Sequence, residues 1–97
     1  MPTPFTQDGR LDHNALERIV EHVIEGGVHG LWALGSGSEF PALTQADRAS
    51  VLQGISKANR GRLPILAGVS DTSLHVAIAN AQQAASIGAD AVFALPP

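Results

Sequence analysis

The 97-residue chain contains no cysteine and no tyrosine, and a single lysine, tryptophan and methionine. Without cysteine there are no disulfides and no thiolate metal sites. Three phenylalanines and one tryptophan are too few for a base-stacking surface, and no cluster of basic residues could track a phosphate backbone. The net charge of −3 is small and spread along the chain, which argues against nucleic acid or an anionic membrane as partner. No apolar run approaches the roughly 20 residues of a membrane span. The N-terminus, MPTPFTQDGR, lacks the basic segment and apolar core of a secretory leader. Together these absences fit a cytoplasmic protein. Its length fits one domain at most, covering residues 1–97.

What is present is a regular alternation of elements. Leu11–Gly27 reads as an amphipathic helix, with Leu16, Ile19, Val20, Val23 and Ile24 on one face. Asp12 is placed to cap it, Leu11 to form a hydrophobic staple with Leu16, and Gly26-Gly27 to end it. Gly30–Leu34 is a short apolar strand. Thr44 opens a second helix, with Asp47 in a capping-box position, an apolar face of Val51, Leu52 and Ile55, and an end near Asn59. Leu63–Ala67 is the next strand. Thr72 or Ser73 opens a third helix to Ile87, whose Ala77, Ala81, Ala84 and Ala85 offer a smooth surface for packing on a sheet. Ala91–Leu95 is a further strand, and Thr3-Pro4-Phe5 reads as the tail of a strand at the start.

Strands without polar alternation are buried on both faces, as in parallel sheets covered by helices. An open doubly wound sheet and a (β/α)8 barrel both satisfy this pattern, and in both the loops after the strands carry the chemistry. Here those loops are Gly35–Leu43 and Gly68–Thr72. The segment GSGSE, Gly35–Glu39, combines backbone freedom, two hydroxyls and successive N–H groups that can hold a carboxylate or phosphate. The same small residues also serve a plain βα turn. Glu39 could act as a base or as a structural hydrogen-bond partner.

Other motifs fail. The dinucleotide fingerprint needs glycine where Phe40 stands, the phosphate-loop Gly-Lys-Ser/Thr is absent, and the nucleophile elbow lacks correctly spaced glycines. His13, His22, His29 and His75 form no ligand pattern, so no metal is expected. Of these, only His75 is placed near the loop face. Lys57 lies two residues beyond Ile55, about 200° around the helix, and so faces solvent rather than a desolvated site that would lower its pKa.

Taken together, several segments resemble the dihydrodipicolinate synthase/N-acetylneuraminate lyase family. They are Thr3-Pro4-Phe5, Asp8-Gly9, Asp12, Gly27-Val28-His29-Gly30, Gly35–Glu39, Leu43-Thr44, Arg48, Pro64–Gly68, Ala84, Gly88–Ala91 and Pro96-Pro97. The resemblance implies the N-terminal part of a (β/α)8 TIM barrel, about three βα units plus a fourth strand, from a class that is usually homotetrameric. It implies a lyase or synthase that binds pyruvate or a related 2-keto acid on a lysine as a Schiff base, with no cofactor. Ser36 corresponds to the hydroxyl of the family's proton relay, and Gly37 and Ser38 to its carboxylate contacts. The usual loop is G-[ST]-[TS]-G-E. Here Gly37 stands where a hydroxyl residue is usual, and Ser38 where a glycine is usual. Loss of one hydrogen bond to a charged group costs roughly 1.5–3 kcal/mol, unless Ser38 compensates. Pro41, Gln45 and Thr72 occupy the positions where some synthases bind feedback lysine, and give no support for such regulation.

The Schiff-base lysine and the relay tyrosines are absent from these 97 residues. The resemblance therefore implies a truncated barrel, inactive by itself. The second substrate stays open among lysine biosynthesis, sialic acid cleavage and 2-keto-3-deoxy sugar acid aldol cleavage or dehydration. A different class also stays open, a non-catalytic remnant or α/β module that binds small anions and pairs through its open edges. A nucleotide-binding open sheet is weakened by Phe40 and by the missing phosphate-loop lysine.

Overall fold

The computed structural model describes residues 1–35 and 43–95. Six elements follow in order: α1 (His13–Glu25), β1 (Leu31–Ala33), α2 (Gln45–Asn59), β2 (Ile65–Gly68), α3 (Leu74–Ile87) and β3 (Ala91–Phe93). Each helix starts where a short polar side chain satisfies a free N–H. The Asp12 carboxylate accepts from Ala15 N at 2.9 Å. Thr44 and Asp47 form a reciprocal capping box, Asp47 N donating to Thr44 Oγ1 at 3.0 Å and Thr44 N to Asp47 Oδ2 at 3.2 Å. Ser73 accepts more loosely from Val76 N at 3.4 Å. α3 ends on Gly88, whose φ of +106° only glycine adopts without strain, and whose N–H returns to Ala84 O.

Among the described residues the strands form one parallel sheet in the order β1-β2-β3. Leu31, Trp32 and Ala33 stand opposite Ile65, Leu66 and Ala67. Leu66, Ala67 and Gly68 stand opposite Ala91, Val92 and Phe93. Side chains alternate across such a sheet. Leu31, Ala33, Ile65 and Ala67 therefore share the face that joins Leu16 and Val20 of α1, Val51, Leu52 and Ile55 of α2, and Ala84 of α3 in one core. Burying each large aliphatic side chain contributes about 1.5–3 kcal/mol. Leu11 packs on the same cluster at the mouth of α1. The α1 and α2 helices approach closely at Gly54, where a Cβ would stand 2.8 Å from Leu16 Cδ2.

Two clasps close the end of the molecule where the strands begin. Asp90 Oδ2 accepts from Ile65 N at 2.8 Å, while Asp90 N donates to Ile65 O at 2.9 Å. Arg62 pairs with Glu21 of α1 and donates to the terminal α2 carbonyls of Ala58 and Asn59.

Three expectations are corrected. Thr3–Phe5 is no strand of the sheet, since Phe5 makes a lone antiparallel bridge to Leu11. Pro2 and Pro4 bring no N–H to a ladder, and Pro4 O instead accepts from Asp12 N at 3.0 Å. The alanine face of α3 is also incomplete, because Ala84 is buried but Ala85 is exposed. Burial on both sheet faces is not reached within these residues. The helices cover one face, and on the other Trp32 keeps 60% of its surface in solvent. Beyond β2, Val92 is 47% exposed and Leu74 of α3 72%.

Candidate functional site at the carboxyl ends of the strands

The carboxyl ends of the three strands meet through ring stacking, a close backbone approach and hydrogen bonds. At the end of β1, Leu34 is buried in a left-handed conformation, φ +61°. A branched aliphatic residue seldom adopts this, and such strain clusters at functional sites. Its carbonyl turns onto Gly68, the last residue of β2. A Cβ at Gly68 would lie 2.3 Å from Leu34 O and 3.1 Å from the Phe93 ring, so only glycine fits. On the uncovered face the Phe93 ring crosses Gly68 to stack on Trp32, with centroids 4.8 Å apart and planes inclined by 29°. Gly35 adjoins the same ring, at 3.7 Å from its would-be Cβ.

The loop after β2 is held from three sides. Val69 N donates to Phe93 O at 2.9 Å, and Leu95 N donates to Ser70 Oγ at 2.7 Å. From α2, Arg48 Nη2 donates to Gly68 O at 2.7 Å. From α3, Asn80 Nδ2 donates to Val69 O at 3.3 Å. Arg48 and Asn80 are only 4% and 3% exposed. Each retains a buried polar atom without a hydrogen-bond partner among the described residues, Nε of Arg48 and Oδ1 of Asn80. Burial pulls the Arg48 guanidinium below its ordinary pKa, and the nearby Asp71 charge draws it partly back.

Of the residues singled out in the sequence, Ser36, Gly37, Ser38, Glu39, Phe40 and Pro41 lie outside the described residues. The structure does place both ends of their segment, with Gly35 following Leu34 beyond β1 and Leu43 before the Thr44 cap. Lys57 is exposed on α2, as are His13, His22, His29 and His75. Among the described residues no group of three or more His, Asp or Glu side chains could hold a metal ion. No helix among them is long and apolar enough to cross a membrane.

Two buried polar residues at this site, Arg48 and Asn80, were given no role by the sequence reading. The signal was nevertheless in the spacing. Arg48 stands three, four and seven residues before Val51, Leu52 and Ile55 on the buried stripe of α2, and Asn80 stands four before Ala84 on that of α3. A polar residue on an apolar stripe is the informative exception.

Comparison with known proteins agrees with this geometry. The family model of the dihydrodipicolinate synthetase family matches residues 1–97. A 4-hydroxy-tetrahydrodipicolinate synthase of Sorangium cellulosum is 38% identical over 96 residues, which cover 98% of this chain and 32% of that protein. The solved dihydrodipicolinate synthase of Bacteroides thetaiotaomicron superposes with a TM-score of 0.93 at 40% identity, over 100% of this chain and 33% of the other. YagE of Escherichia coli K12, a member of the same family solved in complex with pyruvate, superposes with a TM-score of 0.91 at 33% identity, over 96% of this chain and 31% of its own. The chain thus spans about a third of the length of the curated relatives it matches. Its parallel strands and covering helices are the N-terminal part of a (β/α)8 barrel, and the chain belongs to the dihydrodipicolinate synthetase family.

Proposed function

We propose that these 97 residues contribute the carboxylate-binding and proton-relay part of a Schiff-base-forming lyase or synthase that acts on pyruvate or a related 2-keto acid. The observation that carries this reading is the family match over the whole chain, with Gly35, the first residue of GSGSE, placed just beyond the first sheet strand. In barrels of this kind that end holds the chemistry. The pyruvate complex of YagE supports the substrate class.

In this reading the backbone N–H groups of Gly37 and Ser38, with the Ser38 hydroxyl, hold the substrate carboxylate. That contact fixes the keto carbon for attack by a lysine amine supplied outside these residues. Amine addition gives a carbinolamine, and loss of water gives the imine. Ser36 passes a proton to the departing hydroxyl and receives one back during carbon–carbon bond making or breaking. The exposed Lys57 has neither the burial nor the location for the nucleophile. The working protein is a cytoplasmic homotetramer that needs no cofactor. It takes a small-molecule 2-keto acid and uses neither nucleic acid nor membrane.

Replacing Ser36 by alanine in the full-length protein tests the relay. Removing a positioned proton-transfer group lowers turnover roughly a hundredfold, with pyruvate KM nearly unchanged. Turnover equal to that of the parent would contradict the role of Ser36.

A further inference from the structure

Arg48 is a cation held almost wholly out of water, and among the described residues no carboxylate is bonded to it. Among the described residues its guanidinium donates one hydrogen bond, to the carbonyl of Gly68, and Nε has no partner. Asp71 acts on it only through space, and Asp71 Oδ1 is engaged by Ser73 N at 2.8 Å. A buried charge without a bonded counter-charge is costly, and an apolar side chain of similar length would fill the same space without that cost. The charge itself therefore calls for an explanation. Its location supplies one, because Gly68 ends β2 and packs against Leu34, the residue that leads out of β1.

We propose that Arg48 is a positioning residue for an anionic ligand at the strand ends. Its hydrogen bond fixes Gly68, and with it the point where the chain leaves β1. Its buried charge, which no carboxylate among the described residues bonds, makes this end of the sheet attractive to the carboxylate of a 2-keto acid. The charge effect rests on the function proposed above, whereas the anchoring does not. Asn80, which holds the next carbonyl from α3, shares the anchoring but brings no charge.

Two measurements separate these parts. In the full-length protein, pyruvate and its uncharged analogue pyruvamide are titrated against the parent, Arg48→Met and Arg48→Lys. Arg48→Met is expected to weaken pyruvate binding about tenfold, equivalent to about 1.4 kcal/mol, and to leave pyruvamide binding within about twofold. Arg48→Lys, which keeps the charge, is expected to retain most of the pyruvate affinity. Equal losses for both probes, or no loss for pyruvate, overturn the electrostatic role. A parent protein that binds neither probe refutes the keto-acid reading instead.

The second measurement is amide hydrogen exchange in Arg48→Met, which needs no ligand. Exchange at Val69 and Leu95 is expected to quicken about tenfold, with Asp90 at the opposite end of the sheet unchanged. Unchanged exchange at Val69 and Leu95, or an equal rise at Asp90, overturns the anchoring.

Discussion

Two glycines show how a single missing Cβ acts differently in two settings. At Gly68 the added atom would meet a backbone carbonyl, Leu34 O, at 2.3 Å. Neither partner can turn away, because both end strands of the same sheet. Gly68→Ala is therefore expected to destabilise the protein by about 2–3 kcal/mol, the upper range of overpacking costs, seen as a lower urea midpoint. At Gly54 the added atom would meet the tip of the Leu16 side chain at 2.8 Å. There an alanine in mid-helix returns about 1 kcal/mol of propensity, so Gly54→Ala is expected to stay within about 1 kcal/mol of the parent. A larger loss at Gly54 than at Gly68 would show that the strand-end packing is softer than the geometry indicates.

The second helix carries most of what positions the site at the level of elements. Its capping box fixes where the chain from β1 enters the helix, and its Arg48 reaches the end of β2. Thr44→Ala removes the side-chain half of the box and is expected to cost about 1 kcal/mol, measured by urea unfolding. The far end of α2 is tied to α1 through Arg62 and Glu21. Hydrogen bonding to Arg62 holds the Glu21 carboxyl below its ordinary range. Folding thus favours the ionised carboxylate. The contribution is whole above the ordinary glutamate pKa and is lost as pH falls through the lowered one. The pair is exposed, so the effect is small and salt-sensitive. Glu21→Gln is expected to lower stability slightly at neutral pH, where the contribution is whole, and to leave it unchanged well below pH 4.5, so that the acid limb flattens; an unchanged acid limb would rule the pair out as a contributor.

These elements also show where sequence reading works. Asp12, Thr44 with Asp47 and the glycines after α1 and α3 act locally, within four residues, and each is legible in the sequence, as is the α3 cap down to the pair Thr72 and Ser73, of which the structure uses Ser73. The third-to-fourth residue spacing of Leu16, Val20, Val51, Leu52 and Ile55 gave the core face of α1 and α2. What escaped depends on residues distant in the chain. The Arg48–Gly68 bond spans 20 positions and the Ser70–Leu95 bond spans 25. The left-handed Leu34 follows from no propensity of leucine, and Phe5 pairs with Leu11 through a lone antiparallel bridge rather than with the sheet.

At the scale of the whole molecule, the three parallel strands among the described residues carry helices on one face, while Trp32 and Phe93 stack on the other. The relatives are about three times as long and include a protein solved with pyruvate. In the proposed working enzyme, this chain provides the loop that holds the keto acid, and the amine comes from elsewhere in the barrel. Borohydride trapping with pyruvate, read by mass spectrometry of peptides, tests that division of labour on the 97-residue chain and on the full-length protein side by side. The expected result is a reduced pyruvyl adduct on one lysine of the full-length protein outside residues 1–97, with Lys57 unmodified in both samples. An adduct on Lys57, or no adduct on any lysine of the full-length protein, would contradict it.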